Sequence, residues 1–173
     1  MAFIYQFLLQ HLLTLILFFP VLAAVVILCL PKGNLQAIRW SAFGLSLVPF
    51  FLTIVLWAQF KAGQSGFQFQ EQANWYAAIH STFHVGVDGL SLTMVLLTTL
   101  LTPMALLASF NITDRLKAYM FLFLLLVTGM LGVFLSLDLL IFFVFWEIGL
   151  VPMYFLINQW GSEKGEREIW KGV

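Results

Sequence analysis

The sequence predicts an all-α integral membrane protein with about five transmembrane helices. Of its 173 residues, 62% are hydrophobic and 9% are charged, which is the composition of a membrane protein and excludes an ordinary water-soluble domain. Apolar runs that are long enough to cross a bilayer core of ~30 Å as helices recur along the chain. The formal net charge is zero, so the composition gives no reason to expect a nucleic-acid partner.

The predicted spans cover residues 4–30, 40–60, 89–110, 118–137 and 139–160. The first two spans contain no charged residue, and Pro20 and Pro49 interrupt their backbone hydrogen bonding. Trp40 and Trp57 lie where the second span would meet the two membrane interfaces. These features favour spanning helices over a cleaved leader sequence at the start of the chain.

An extramembrane loop is predicted for residues 61–88, which form the longest polar connection. Phe67 and Phe69 alternate with glutamines, a pattern of period two that is compatible with a short β-hairpin. His80 and His84 are four residues apart, a spacing that could bind a metal on a helix, but no third ligand accompanies them. We therefore expect both histidines to serve in a surface loop and predict no metal site.

The last three spans follow short polar connections. Asp88 and Asp138 fit the N-cap positions of the third and fifth spans. Thr128, Gly132 and Ser136 follow one another at intervals of four residues on the fourth span, so this small-residue face can admit a close neighbour. Almost no chain separates the fourth and fifth spans, which predicts a helical hairpin.

Basic residues in the connections indicate the orientation of the chain, because they concentrate on the cytoplasmic side of membrane proteins. The residues that fall on one side of a five-span chain are Lys32, Arg39, Arg115, Lys117, Lys164, Arg167 and Lys171. The opposite side has only Lys61. The pattern predicts an outside amino terminus and a charged cytoplasmic-side segment at residues 162–173, in a bacterial plasma membrane or its organelle equivalent.

The fifth span carries a single charge, Glu147, nine residues after Asp138. This separation corresponds to ~13 Å of helix rise, which places the carboxyl near the middle of the bilayer. An ionisable group at that depth is costly, is expected to face the interior of a helix bundle, and indicates function. A carboxyl that instead turned its back on the bundle would leave proton handling without support.

Two further polar side chains share the helix face of Glu147, namely Tyr154 and Asn158, which follow it by seven and eleven residues. Pro152 cannot donate to the carbonyl of Ile148, which frees one more acceptor close to the carboxyl. These groups could hold a short file of water and form a proton path. The alternative is a protonated Glu147 in an interhelical hydrogen bond, but such contacts usually employ Ser, Thr, Asn or Gln.

Glu147 has no counter-charge within the predicted spans, since every lysine and arginine lies in a connection or at a span edge. Intramembrane charges are usually paired. Either Glu147 is neutral when it stands alone, or its partner lies on another chain or on residues beyond Val173. We expect this chain to be the front part of a longer protein.

Residues 85–92 (VGVDGLSL) and 139–161 (LLIFFVFWEIGLVPMYFLINQWG) resemble the antiporter-like membrane subunits of proton-pumping NADH:quinone oxidoreductase, or complex I. The similarity is greatest to the subunit M type, which is called chain 4 in mitochondria, through Trp146, Glu147 and the residues that follow them. Mrp cation/proton antiporters share the Asp-Gly-Leu-Ser and Trp-Glu features. The chain would correspond to the amino-terminal fragment of a larger antiporter-like helical bundle.

The resemblance implies that Glu147 matches the essential fifth-helix glutamate of the family, which pairs with a lysine on a later broken helix. The chain would then translocate protons as a subunit of the oxidoreductase. It would have no redox site or cofactor of its own, and NADH, flavin, iron–sulfur clusters and quinone would lie in partner subunits. Other complex I membrane subunits, the carboxy-terminal helices of the same protein and the lipid bilayer would be its partners. An Mrp-type antiporter subunit and a purely structural membrane subunit are the alternatives.

Overall fold

A computed structural model describes residues 10–31, 33–64, 66–76 and 81–161. In chain order the elements are α1 (Leu12–Cys29), α2 (Leu35–Gln59), β1 (Gln68–Tyr76), β2 (Ser81–Val87), α3 (Gly89–Ala108), a 3₁₀ turn (Ser109–Asn111), α4 (Leu116–Leu135) and α5 (Leu139–Trp160). All five α-helices are long and apolar enough to cross a membrane. The predicted fold class, a helical membrane protein with five spans, is confirmed.

The first four helices form the body of the protein, and the fifth lies at its side. Helix α4 packs against α1, α3 and α5, whereas α2 packs against α1 and α3. Helix α5 packs chiefly against α4, with smaller contacts to β2. Two clusters of buried side chains fill the body: one is centred on Leu13, Leu56 and Leu131, and the other on Ile38 and Met120.

Capping groups explain where the helices begin. The Asp88 side chain accepts a hydrogen bond from the amide of Ser91, and Asp138 accepts from the amides that open α5, so both predicted N-caps are confirmed. Helix α2 begins at Leu35, five residues before the predicted residue 40, because the Asn34 side chain caps it through the amide of Ala37.

The bounds of α4 also differ from the sequence pattern. Helix α4 runs two residues ahead of the predicted 118–137, because Leu116 is already buried in the core. Helix α1 begins at Leu12. In its first turn the amides of Leu13 and Thr14 donate hydrogen bonds to the carboxylate of Glu71 in the hairpin. Residues 4–9 of the predicted first span lie outside the described residues.

The connection between α2 and α3 is an antiparallel β-hairpin, which is the structure that the alternation around Phe67 indicated. His84 lies on β2 and not on a helix, and its ring shares a hydrogen bond of 3.0 Å with the side chain of Gln70. His80 falls outside the described residues. The hairpin is tied to the turn before α5, because the amide of Leu137 donates to the carbonyl of His84 at 2.9 Å.

The opposite end of the bundle is held by basic side chains. The Lys117 ammonium donates to the carbonyls of Leu28, at 2.8 Å, and of Leu30, which close helix α1. Arg39 donates to the carbonyl of Ile112 at 3.0 Å. Cationic donors stabilise helix carboxyl termini, where carbonyls have no partner within the helix. The connections that precede α2 and α4 therefore meet at one end, and the hairpin lies at the other.

Candidate functional site

Helix α5 carries the predicted site, and its first turn is fixed by Asp138. This carboxylate accepts hydrogen bonds from the amides of Leu140 at 2.9 Å and Ile141 at 3.2 Å, and from the hydroxyl of Ser81 at 3.1 Å. The amide of Ile141, followed by the hydroxyl of Ser81, holds the pKa of Asp138 below its ordinary value. One carboxylate therefore joins the start of α5 to strand β2.

The inner face of α5 meets α4 through residues that have no side chain. A Cβ atom placed on Gly132 would lie 2.0 Å from Cγ of Phe145, and one placed on Gly129 would lie 2.5 Å from the amide nitrogen of Gly149. Gly132 belongs to the small-residue face that the sequence predicted. Gly129 and Gly149 were not recognised, although glycines inside apolar runs are a known signal of close helix packing.

The outer face of α5 carries Glu147 together with Tyr154 and Asn158. All three side chains are exposed, and 65% of the Tyr154 surface is accessible. The expectation that Glu147 faces a bundle interior stays a prediction, since among the described helices it faces away from α4. The cause is the glycine contact, which turns the opposite face of α5 towards α4.

Glu147 lies at mid-helix, eight residues after Leu139 and thirteen before Trp160. Within the described part of the chain, no hydrogen bond or ion pair reaches its carboxyl. Tyr154 and Asn158 lie on the same face, but neither is hydrogen-bonded to Glu147. The structure thus brings the three predicted site residues onto one surface without a hydrogen bond between them.

The basic residues that the structure describes are all remote from mid-depth. Arg39, Arg115 and Lys117 lie at one end of the bundle, and Lys61 lies beside the hairpin at the other. None of these four forms an ion pair with Glu147. Among the described residues, no group of three metal-ligating side chains is found.

Sequence reasoning missed a buried carboxylate in the hairpin. Glu71 on β1 accepts hydrogen bonds from the amides of Leu13, at 2.7 Å, and Thr14, at 3.3 Å, and from the hydroxyl of Thr14. His11 lies 3.9 Å from the same carboxylate, whose side chain is 10% exposed. The sequence did single out this residue, because Glu71 is the only acidic residue before Asp88.

Comparisons with known proteins give clear relatives. The sequence is 40% identical over 147 residues to NAD(P)H-quinone oxidoreductase chain 4 1 of a Picosynechococcus species, covering 84% of this chain and 28% of that protein. It is 37% identical over 159 residues to NADH-quinone oxidoreductase subunit M of Rhodobacter capsulatus, covering 90% of this chain and 31% of that protein. The chain therefore spans about 30% of the length of the relatives it matches.

A solved structure shows the same fold. A chain of the membrane-bound sulfane sulfur reductase, an archaeal respiratory membrane complex, superposes with a TM-score of 0.65 at 18% identity. The match covers 84% of this chain and 22% of that chain. No family model matches the sequence. The relatives confirm the resemblance that the sequence motifs indicated.

Proposed function

We propose, from the premise that this chain is a sequence relative of the subunit M and chain 4 proteins of NADH-quinone oxidoreductases, that it forms part of a proton-translocating membrane subunit. The observation that carries the proposal is the position of Glu147. A single carboxyl lies at the middle of a membrane-spanning helix, on a face that continues into Tyr154 and Asn158. Intramembrane carboxyls of this kind mark proton relays.

The carboxyl acts as the proton carrier. In a low-dielectric environment the neutral acid is favoured, and a cation that approaches favours the carboxylate, so the proton leaves the carboxyl oxygen. When the cation withdraws, the carboxylate takes up a proton from the other side. A lysine on a further helix is the cation that we propose, since none of the described basic residues lies at that depth.

The exposure of Glu147 sets a requirement for this proposal. A charged group that faces lipid at mid-depth costs a few kcal/mol or more. The relatives are about three times as long as this chain, so their remaining length can supply helices that cover the outer face of α5. We propose that such helices pack on Glu147, Tyr154 and Asn158 and enclose the water file between them.

Other features of the complete assembly follow from the same premise. NADH oxidation and quinone reduction would occur in other subunits, which hold flavin and iron–sulfur clusters, and this chain would contribute the transfer of protons. The basic end of the bundle, with Arg115 and Lys117, would face the cytoplasm or its equivalent, and the hairpin would face outside. The polar line from Glu147 to Asn158 would then lead towards the cytoplasmic side.

The test replaces Glu147 by Gln and by Ala in the complete protein within its assembled complex. We expect proton pumping per NADH oxidised to fall about tenfold or more in both variants, because neither side chain can release a proton. Asp114→Asn is the matched control, since its carboxyl lies in the connection before α4, and it should pump normally. The measurements are the quenching of a pH-sensitive dye in membrane vesicles, which reports proton pumping, and the amount of assembled complex.

Normal assembly with full pumping in both Glu147 variants would contradict the proposal. Pumping that persists while only thermal stability falls would favour a structural subunit. Sodium-dependent transport that survives the loss of NADH oxidation would favour an Mrp-type antiporter subunit.

A further inference from the structure

We infer that Gly129 and Gly132 on α4 are positioning residues that fix the rotation and depth of Glu147. The inference rests on the proposed function, because it concerns how the proton-carrying group is placed. Neither glycine touches the carboxyl. Both act through α5, the helix on which Glu147 lies.

The first contact is between Gly132 and the aromatic ring of Phe145. A Cβ atom at Gly132 would lie 2.0 Å from Cγ, 2.3 Å from Cδ1 and 2.6 Å from Cβ of Phe145. Phe145 is 4% exposed, and its ring centroid is 6.2 Å from that of Phe18 on α1. The ring therefore fills the space left by the missing side chain and lies beside Phe18 of α1.

The second contact is between backbones. A Cβ atom at Gly129 would lie 2.5 Å from the amide nitrogen and 2.6 Å from Cα of Gly149, and 3.0 Å from the carbonyl oxygen of Phe145. All three of these atoms belong to the backbone, so no side-chain rotation can make room for the added Cβ. The two helices approach at this point as closely as glycine allows, which is the geometry of small-residue packing in membranes.

The two contacts determine the direction of Glu147. Residues 145 and 149 are four apart and share one face of α5, whereas residue 147 is two positions from each and points to the opposite side. A glycine pair that receives Phe145 and Gly149 thus directs Glu147 away from α4. The same glycine pair also fixes the depth of Glu147 in the membrane, because a slip of α5 by one helical turn would move the carboxyl by about 5.4 Å.

The experiment compares Gly132→Ala, Phe145→Ala and the double variant in the complete protein within its assembled complex. We expect Gly132→Ala to lower proton pumping per NADH about threefold or more, since small displacements of reacting groups slow transfer strongly. We also expect the pH of half-maximal pumping to shift, because the carboxyl changes its surroundings. A purely structural role would reduce the amount of complex without shifting this pH.

Rescue distinguishes the two glycines. Phe145→Ala removes Cγ and Cδ1 from the path of the new methyl group, so the double variant should recover part of the loss measured against Phe145→Ala alone. The same background should not rescue Gly129→Ala, because the three atoms nearest to the added Cβ belong to the backbone. Gly44→Ala on α2 is the matched control, since a Cβ there meets nothing within 4 Å, and it should pump normally.

The outcomes separate this inference from the proposed function. A structure of the Gly132→Ala complex in which α5 keeps its place, or an unshifted pH profile, would overturn the inference while Glu147→Gln still abolishes pumping. Normal pumping by Glu147→Gln removes the proposed function, whatever the position of α5. If Gly132→Ala fails to assemble, the amount of complex is scored instead, and failure of Phe145→Ala to restore any of it would overturn the inference.

Discussion

The two faces of α5 are similar in hydrophobicity but differ in what they contact. The inner face buries Ile141, Phe145 and Pro152, whereas the outer face exposes Phe143 and Leu150 beside Glu147. Within an 18-residue stretch of each helix, 44% of the α4 residues are buried but only 17% of the α5 residues. Because lipid is as apolar as a protein core, hydrophobicity does not decide which face turns inward in a membrane, and close fit does. The glycines of α4 supply that fit.

Gly129→Ala should reduce stability more than any other substitution considered for α4 and α5, because it disrupts the packing of the inner face of α5 against α4. The methyl group would meet the backbone of Gly149, so α5 has to move away from α4. We expect a destabilisation at the upper end of the ~1–3 kcal/mol that is typical of overpacked cores. Thermal unfolding of the complete protein in detergent is the measurement.

Gly44→Ala is the control for helix propensity, since the same substitution is made in open space. It should leave stability unchanged or raise it by up to ~1 kcal/mol, which is the gain of alanine over glycine inside a helix. Equal melting temperatures for the two variants would show that the close approach of α4 and α5 contributes nothing.

Much of the fold could be predicted from the sequence, because its signals are local. Apolar runs identified five spans, and Asp88 and Asp138 were recognised as N-caps from their own segments. The hairpin was indicated by the alternation around Phe67. The contact between Glu71 and the first turn of α1 was not predicted, because this carboxylate lies 58 residues from Leu13 in the chain.

The candidate site was predictable in part for the same reason. Helical spacing correctly placed Glu147, Tyr154 and Asn158 on one face, since that relation is internal to α5. Which face would turn towards the bundle depends on the fit of Gly129 against Gly149 between two helices. A hydrophobic pattern contains no such information, so it could not tell that Glu147 faces away from the described helices.

Tyr154→Phe should sharpen the comparison on the outer face. The substitution keeps the ring and removes a hydroxyl that is hydrogen-bonded to no described residue, so stability should change little. If the hydroxyl is part of the water file, pumping per NADH should fall about three- to tenfold, because one member of a connected network is lost. Pumping and melting temperature are measured on the same membranes.

Tyr119→Phe provides the opposite control on α4. Its hydroxyl shares a hydrogen bond of 2.8 Å with Ser109, so the variant should lose about 0.5–1.5 kcal/mol of stability and pump normally. If Tyr154→Phe behaves like Tyr119→Phe, with lower stability and intact pumping, the Tyr154 hydroxyl has no role in proton transfer.

Asp138→Asn should have the smallest effect, and it acts on both faces because it changes the start of α5. Hydrogen bonds from Ile141 and Ser81 lower the pKa of Asp138 below its ordinary value of 3.8. A group whose pKa is lower in the folded state stabilises the fold above the unfolded pKa, and this contribution disappears as the pH falls through the folded pKa.

Asparagine is also a good N-cap, so stability at pH 7 should hardly change. What should shrink is the loss of stability below about pH 4, measured by unfolding at a series of acidic pH values. Asp114→Asn, with a carboxyl that caps no helix, is the matched control. An unchanged acid response in Asp138→Asn would show that the hydrogen bonds at the start of α5 do not help to hold either face in place.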